Sequence, residues 1–98
     1  MSPRSRSIRF TPQARRDLHQ ILLYSRRTWG AQQKARYQAA IDHSLDLLVE
    51  YPMLGEACED LFPGGRRHPV EQHIIFYRIQ DGRIVVVGIL HARQDTAG

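Results

Sequence analysis

Two runs rich in Ile, Val, Phe and Tyr, His73 to Gln80 and Arg83 to His91, are separated only by Asp81-Gly82. A two-residue connection between β-prone runs is a type I′ turn, in which both residues take positive φ, and Asp-Gly is among the few pairs that do so cheaply. The chain is thereby committed to an antiparallel hairpin, and everything before it must pack on or beside that hairpin. Pairing outward from the turn places Ile75, Tyr77, Ile79, Ile84, Val86 and Leu90 on one face. Ile74, Phe76, Arg78, Val85, Val87 and Ile89 fall on the other. Both faces are largely apolar, whereas one layer of helices covers only one. The second face is therefore expected to be covered by loops or by another chain, or left partly exposed.

Upstream, Ser7 to Phe10 reads as a short strand ended by Thr11-Pro12, where Thr can cap a helix and Pro fits its first position. Ala14, Leu18, Ile21, Leu22, Ser25 and Trp29 then follow helical spacing, with Arg15, Arg16, His19, Arg26 and Arg27 outside the stripe. Gly30 stops this helix, and a second runs from about Ala31 to Tyr51 on Tyr37, Ile41, Leu45 and Leu48. After a loop from Met53 to Gly65, Arg66 to Val70 reads as a strand whose Pro69 favours an edge position. The order strand, two helices, three strands predicts an α+β fold: an antiparallel sheet with a helical hairpin packed on one face. At 98 residues the chain is expected to form one domain, 1–98.

Composition narrows the function classes. The longest apolar run, Ile84 to Leu90, is far short of the roughly 20 residues that span a bilayer. No apolar stretch follows Arg4, Arg6 and Arg9, so neither membrane insertion nor export is expected. A lone cysteine, Cys58, closes no internal disulfide and fits a reducing cytoplasm. Five histidines without paired spacing give no metal site, and Gly64-Gly65 leads into a strand rather than a helix, so neither metal, nucleotide nor other cofactor is expected. The net charge is +4, and of 14 basic residues only Lys34 is lysine. Such an arginine excess suits an acidic protein partner or nucleic acid, and a GC-rich genome produces it without either.

Catalysis would need a convergent acid, base and charge stabiliser. In the pairing above Arg78 shares a face with His91, and Arg67 on the neighbouring strand joins them. An imidazole to move a 2′-hydroxyl proton and two guanidiniums to stabilise phosphorane-like charge would suit RNA cleavage. The same residues have a structural reading, with His73 and His91 bonded to backbone at strand ends and Arg78 paired with Glu71 or Asp95. Trp29 reads as a core aromatic at a helix end, and Tyr24 and Tyr37 as residues of the core edge. Leu23 projects about 180° from the centre of the first helix's stripe, and Ala40, Leu47 and Tyr51 widen the stripe of the second. These positions point to a partner on the hairpin.

Asp17-Leu18 with Ile21 and Tyr24, Trp29-Gly30, Tyr37, Pro52 with Leu54-Gly55, Gly65 before Arg67, His73 with Phe76-Tyr77-Arg78, and Ile89-Leu90-His91 occur in an order and spacing that resembles the ParE toxins of the RelE/ParE superfamily. The resemblance implies a β-α-α-β-β-β fold and the toxin half of a type II toxin–antitoxin module. It further implies a toxin that inhibits DNA gyrase by protein binding, without a catalytic set, a cofactor or specific DNA binding of its own. A ParD-like antitoxin would form a hetero-oligomer with it in the cytoplasm. Arg93, Gln94 and Asp95 are the implied target contacts, and Arg16, Leu23, Arg27, Leu47 and Tyr51 the antitoxin contacts. RelE-type relatives cut messenger RNA on the ribosome, for which Arg67, Arg78 and His91 would be the catalytic set. A degenerate, harmless antitoxin-binding protein is the third possibility. Two positions depart from the family pattern: Gln94 stands where Met is common, giving up an apolar contact, and Arg66 where Tyr is common.

Overall fold

The computed structural model describes residues 7–94. In chain order it contains β1 (Ile8–Phe10), α1 (Pro12–Trp29), α2 (Ala31–Glu50), β2 (Glu56–Ala57), β3 (Arg66–Val70), β4 (His73–Gln80), β5 (Arg83–His91) and a 3₁₀ turn, Ala92–Gln94. Local chemistry sets the boundaries as expected. The Thr11 hydroxyl accepts the Ala14 N–H at 3.1 Å with Pro12 next in line. Gly30, at φ 92°, ends α1 while its N–H bonds Arg26 O. Asp81 and Gly82 both take positive φ, 52° and 73°, as a type I′ turn requires.

The strands form one sheet in the order β1-β5-β4-β3-β2. The meander β3-β4-β5 is antiparallel, but β1 runs parallel to β5, Ile8 opposite Ile84 and Phe10 opposite Val86. The sheet is therefore mixed, not wholly antiparallel. The helical hairpin returns the chain to the end where β1 stopped, β2 descends along the edge, and three alternating strands bring β5 beside β1 in the same direction. The short strand β2, unforeseen in the sequence, covers only Arg66 and Arg67 of β3.

The helices pack on one face of this sheet. Ala14 of α1 and Ile41, Leu45 and Leu48 of α2 meet Val70, Ile75, Tyr77, Ile84, Val86 and Ile89. Each large aliphatic side chain buried there contributes about 1.5–3 kcal/mol of transfer free energy, against a net stability of roughly 5–15 kcal/mol for a whole domain. No helix among the described residues is long and apolar enough to cross a membrane.

One irregularity changes the face assignment. Tyr77 pairs with Val86 but Phe76 with Gly88, so β5 carries a bulge at Val87. Up to Val86 the two faces are as the sequence predicts, and beyond it they exchange. Ile89, expected on the face of Phe76 and Val85, is 2 % exposed in the core with Ile75 and Val86, whereas Leu90, expected with Ile75 and Val86, is 38 % exposed and faces outward opposite Ile74. The backbone around the bulge is satisfied from α1 and its cap. Thr11 donates its N–H to Val86 O and its hydroxyl to Val87 O, and Ile89 N–H bonds the Asp17 carboxylate at 3.0 Å.

Candidate functional site

Because of the bulge, His91 leaves the face of Arg78. Arg67 pairs with Phe76 and Arg78 with Val85, so both arginines lie on the outer face, away from the helices. His91 pairs with His73 and shares the helix side with Ile75 and Ile89. The three residues expected to converge for RNA cleavage are thus on opposite faces of the sheet. Arg67 meets Glu56 at 3.5 Å. Arg78 donates to the Gln80 side-chain oxygen at 3.3 Å rather than to Glu71, and Asp95 lies outside the described residues.

On the helix side, at the sheet's end, Tyr37, His73 and His91 form a string. Ring centroids are 5.5 Å apart for Tyr37–His73 and 5.2 Å for His73–His91, both edge to face. The Tyr37 hydroxyl accepts the Gln72 N–H at 3.2 Å and bonds His73 Nδ1. A neutral His73 carrying its proton on Nε2 accepts the phenol's hydrogen at Nδ1, and the other tautomer donates to the phenol oxygen instead. Burial, and then the charge of His91, lower the His73 pKa below its ordinary value. Burial raises that of Tyr37, the Gln72 N–H opposes it, and Glu71 adds to the rise. His91 Nδ1 accepts the Arg93 N–H at 3.1 Å, and Ala92 N–H bonds Gln72 O at 2.8 Å, so the string anchors the start of the C-terminal tail. Of the tail candidates, Arg93 is exposed and Gln94 belongs to the 3₁₀ turn.

The hairpin surface presents the remaining candidates. Arg16 and Arg27 are exposed, Leu23 and Leu47 half-buried, and Tyr51 exposed. Since α1 and α2 are joined through Gly30 alone, Leu23 and Leu47 lie about 15 Å apart along the hairpin at ~1.5 Å per residue. They form a line rather than a single patch. Trp29 is 67 % and Tyr24 66 % exposed, so neither packs in the core or at its edge as the sequence predicts; Trp29 is the last residue of α1, directly before the Gly30 cap. Tyr37 packs at the core edge as expected.

Tyr77 explains the Pro52-x-Leu54-Gly55 pattern. Its hydroxyl donates to Pro52 O and accepts the Gly55 N–H, both at 2.8 Å, tying the loop after α2 to the core. A Cβ on Gly55 would lie 2.5 Å from that hydroxyl and 2.8 Å from Arg67 O. Arg66, where the family pattern favours Tyr, donates to Gly55 O at 2.6 Å and Met53 O at 3.3 Å and so braces the same loop. The loop leaves Met53 and Leu54 exposed beside Tyr51. Sequence reasoning also missed the pairing of Arg9, which the parallel β1 places beside Val85, with Arg83, which lies two residues before Val85 on the same outer face of β5. No periodic signal within a three-residue strand gives its partner.

A small α+β domain of this order, with a hairpin on one sheet face, is the architecture of toxins from type II toxin–antitoxin modules. The model of the ParE toxin of type II toxin–antitoxin systems, parDE, matches residues 8–96. The chain is 36 % identical over 86 residues to Toxin ParE of Escherichia coli, covering 87 % of this chain and 84 % of that protein. It is 34 % identical over 86 residues to Toxin ParE1 of Mycobacterium tuberculosis, covering 87 % and 88 %. In fold it is similar to a chain of the chromosomal ParDE toxin–antitoxin system from P. aeruginosa, with a TM-score of 0.73 at 20 % identity over 87 % of this chain and 94 % of that one. The chain belongs to the ParE toxin family.

Proposed function

We propose that this ParE toxin inhibits DNA gyrase by protein–protein binding and is neutralised by a ParD-like antitoxin in a cytoplasmic hetero-oligomer. The observation that carries binding over RNA cleavage is the separation of His91 from Arg67 and Arg78 by the thickness of the sheet. A general acid–base and its charge stabilisers must reach one phosphate, and groups on opposite faces do not. His91 is committed instead to the Arg93 N–H and the ring of His73.

In this reading Arg93, Gln94 and Asp95 contact the target, and the line from Arg16 through Leu23 and Arg27, with Leu47 and Tyr51, receives the antitoxin. Growth inhibition by three variants tests it. His91→Ala and Arg78→Ala are expected to stay toxic, and a chain truncated before Arg93 to lose toxicity while still binding antitoxin. Folded but harmless alanine variants, beside a toxic truncation, would instead assign the protein to the RelE-type nucleases.

A further inference from the structure

The outer face of the sheet is divided into two ends. Near the Asp81-Gly82 turn, Arg83 lies opposite Gln80, and in the next row Arg9, Val85 and Arg78 stand side by side. Arg9, Gln80, Asp81, Arg83 and Val85 line a shallow depression of about 240 Å³. Among the described residues, three guanidiniums stand at this end with one carboxylate, that of Asp81. At the far end, Leu90 and Ile74 are paired and Pro69 lies beside Ile74, an aliphatic surface with no charge among these residues. The aromatic ring between the ends, Phe76, is buried, so the described strand residues of this face offer no exposed ring on which a base could stack.

We infer that this outer face is the docking surface for an extended segment of the toxin's target protein, with carboxylates toward Arg9, Arg78 and Arg83 and aliphatic side chains toward Leu90 and Ile74. The inference rests on the reading that the toxin acts by binding a protein. Guanidinium forks match carboxylates two-pronged, and Arg9 and Arg83 are both exposed to offer them. From Arg83 to Leu90 the surface runs about 23 Å at ~3.3 Å per residue, the length of roughly seven extended residues. The aliphatic end leads directly into the Ala92–Gln94 turn, so a segment lying there continues to Arg93. The helical hairpin, on the opposite face, remains open to the antitoxin.

The double variant Arg9→Glu/Arg83→Glu tests this at the charged end and Leu90→Asn at the other, with antitoxin co-purification showing that each is folded. Charge reversal facing carboxylates is expected to raise the dose needed for growth arrest by about tenfold or more, with Arg9→Gln/Arg83→Gln intermediate. Leu90→Asn should weaken arrest as well, and all variants should keep the antitoxin. Full toxicity of the double reversal overturns the inference, as does a wild-type chain that does not slow growth. Tight binding of a labelled oligouridylate by the wild type, lost on reversal, would assign the face to nucleic acid instead. Gyrase supercoiling measured with the same proteins separates the two layers: arrest without gyrase inhibition defeats the gyrase reading, while the growth result still decides the face.

Discussion

The carboxylate of Asp17, in the second turn of α1, accepts the backbone N–H of Ile89 at 3.0 Å, across 72 positions of sequence. Beside it, Thr11 holds the carbonyls of Val86 and Val87. β1 ends at Phe10, opposite Val86, so among the described residues no strand neighbours the edge of β5 beyond that point on this side. The helix and its cap supply the missing partners, and the bulged register they satisfy is the one that turns Ile89 inward and moves His91 off the face of Arg78.

Asp17→Ala removes the acceptor of a largely buried amide. An unpaired buried N–H costs about 1–3 kcal/mol. A urea titration should show that loss in midpoint, and hydrogen exchange at Ile89 should accelerate more than at Ile84. Asp17→Asn, which keeps an oxygen, is expected to cost less. Equal exchange at both amides would contradict this role of Asp17.

Gly55→Ala should be among the most damaging single-methyl additions, because the new Cβ meets the Tyr77 hydroxyl and the Arg67 carbonyl. Overpacking of this kind costs about 1–3 kcal/mol. Tyr77→Phe should cost a similar amount by leaving Pro52 O and Gly55 N–H unpaired. The double variant should lose less than the sum, since both changes release the same loop. Additive losses would show the two residues to be independent.

The hairpin, both helices and their caps were legible because each has a local cause: Asp81-Gly82 for the turn, Thr11-Pro12 and Gly30 for the ends of α1, heptad-like spacing for Ile41, Leu45 and Leu48. The bulge was not. Val85-Val86-Val87-Gly88-Ile89 reads as an unbroken apolar strand, and only partners distant in sequence, Thr11 and Asp17, distinguish one register from the other. The nuclease-like grouping of Arg67, Arg78 and His91 depended on that register and fell with it. Trp29 was misplaced for a related reason: its spacing fits the stripe, but no sheet lies beneath the last turn of α1 to receive it.

Stability should fall as the medium becomes mildly acidic. The neutral form of His73 is favoured in the folded chain by burial and by the charge of His91, and His68 is lowered by burial alone. The unfolded chain therefore takes up these protons first. The contribution is complete above the ordinary histidine value, about 6.5, and is lost as pH drops from there toward the folded values. Melting temperatures should decline as the pH falls below the ordinary histidine value, with a shallower decline in His73→Gln. An identical slope in that variant would remove His73 from the account.

Antitoxin association should slow as salt rises, because Arg16 and Arg27, together with the exposed Arg15 and Arg26, present a basic surface to an acidic segment. Leu23→Asp and Leu47→Asp should act differently, speeding dissociation with little change in the salt dependence of the on-rate. Stopped-flow mixing with the antitoxin at two ionic strengths separates these effects. A salt-independent on-rate would contradict the electrostatic part, and unchanged dissociation would move the antitoxin off the hairpin.

The central claim, that this toxin acts by binding gyrase and not by cutting RNA, is tested most directly by incubating the purified chain with gyrase, ATP and supercoiled plasmid and then denaturing the mixture. Linear DNA with gyrase covalently attached, increasing with toxin and absent when antitoxin is added first, is the predicted result. Unaltered supercoiling and no trapped cleavage, from a preparation that cleaves messenger RNA on ribosomes, would contradict it.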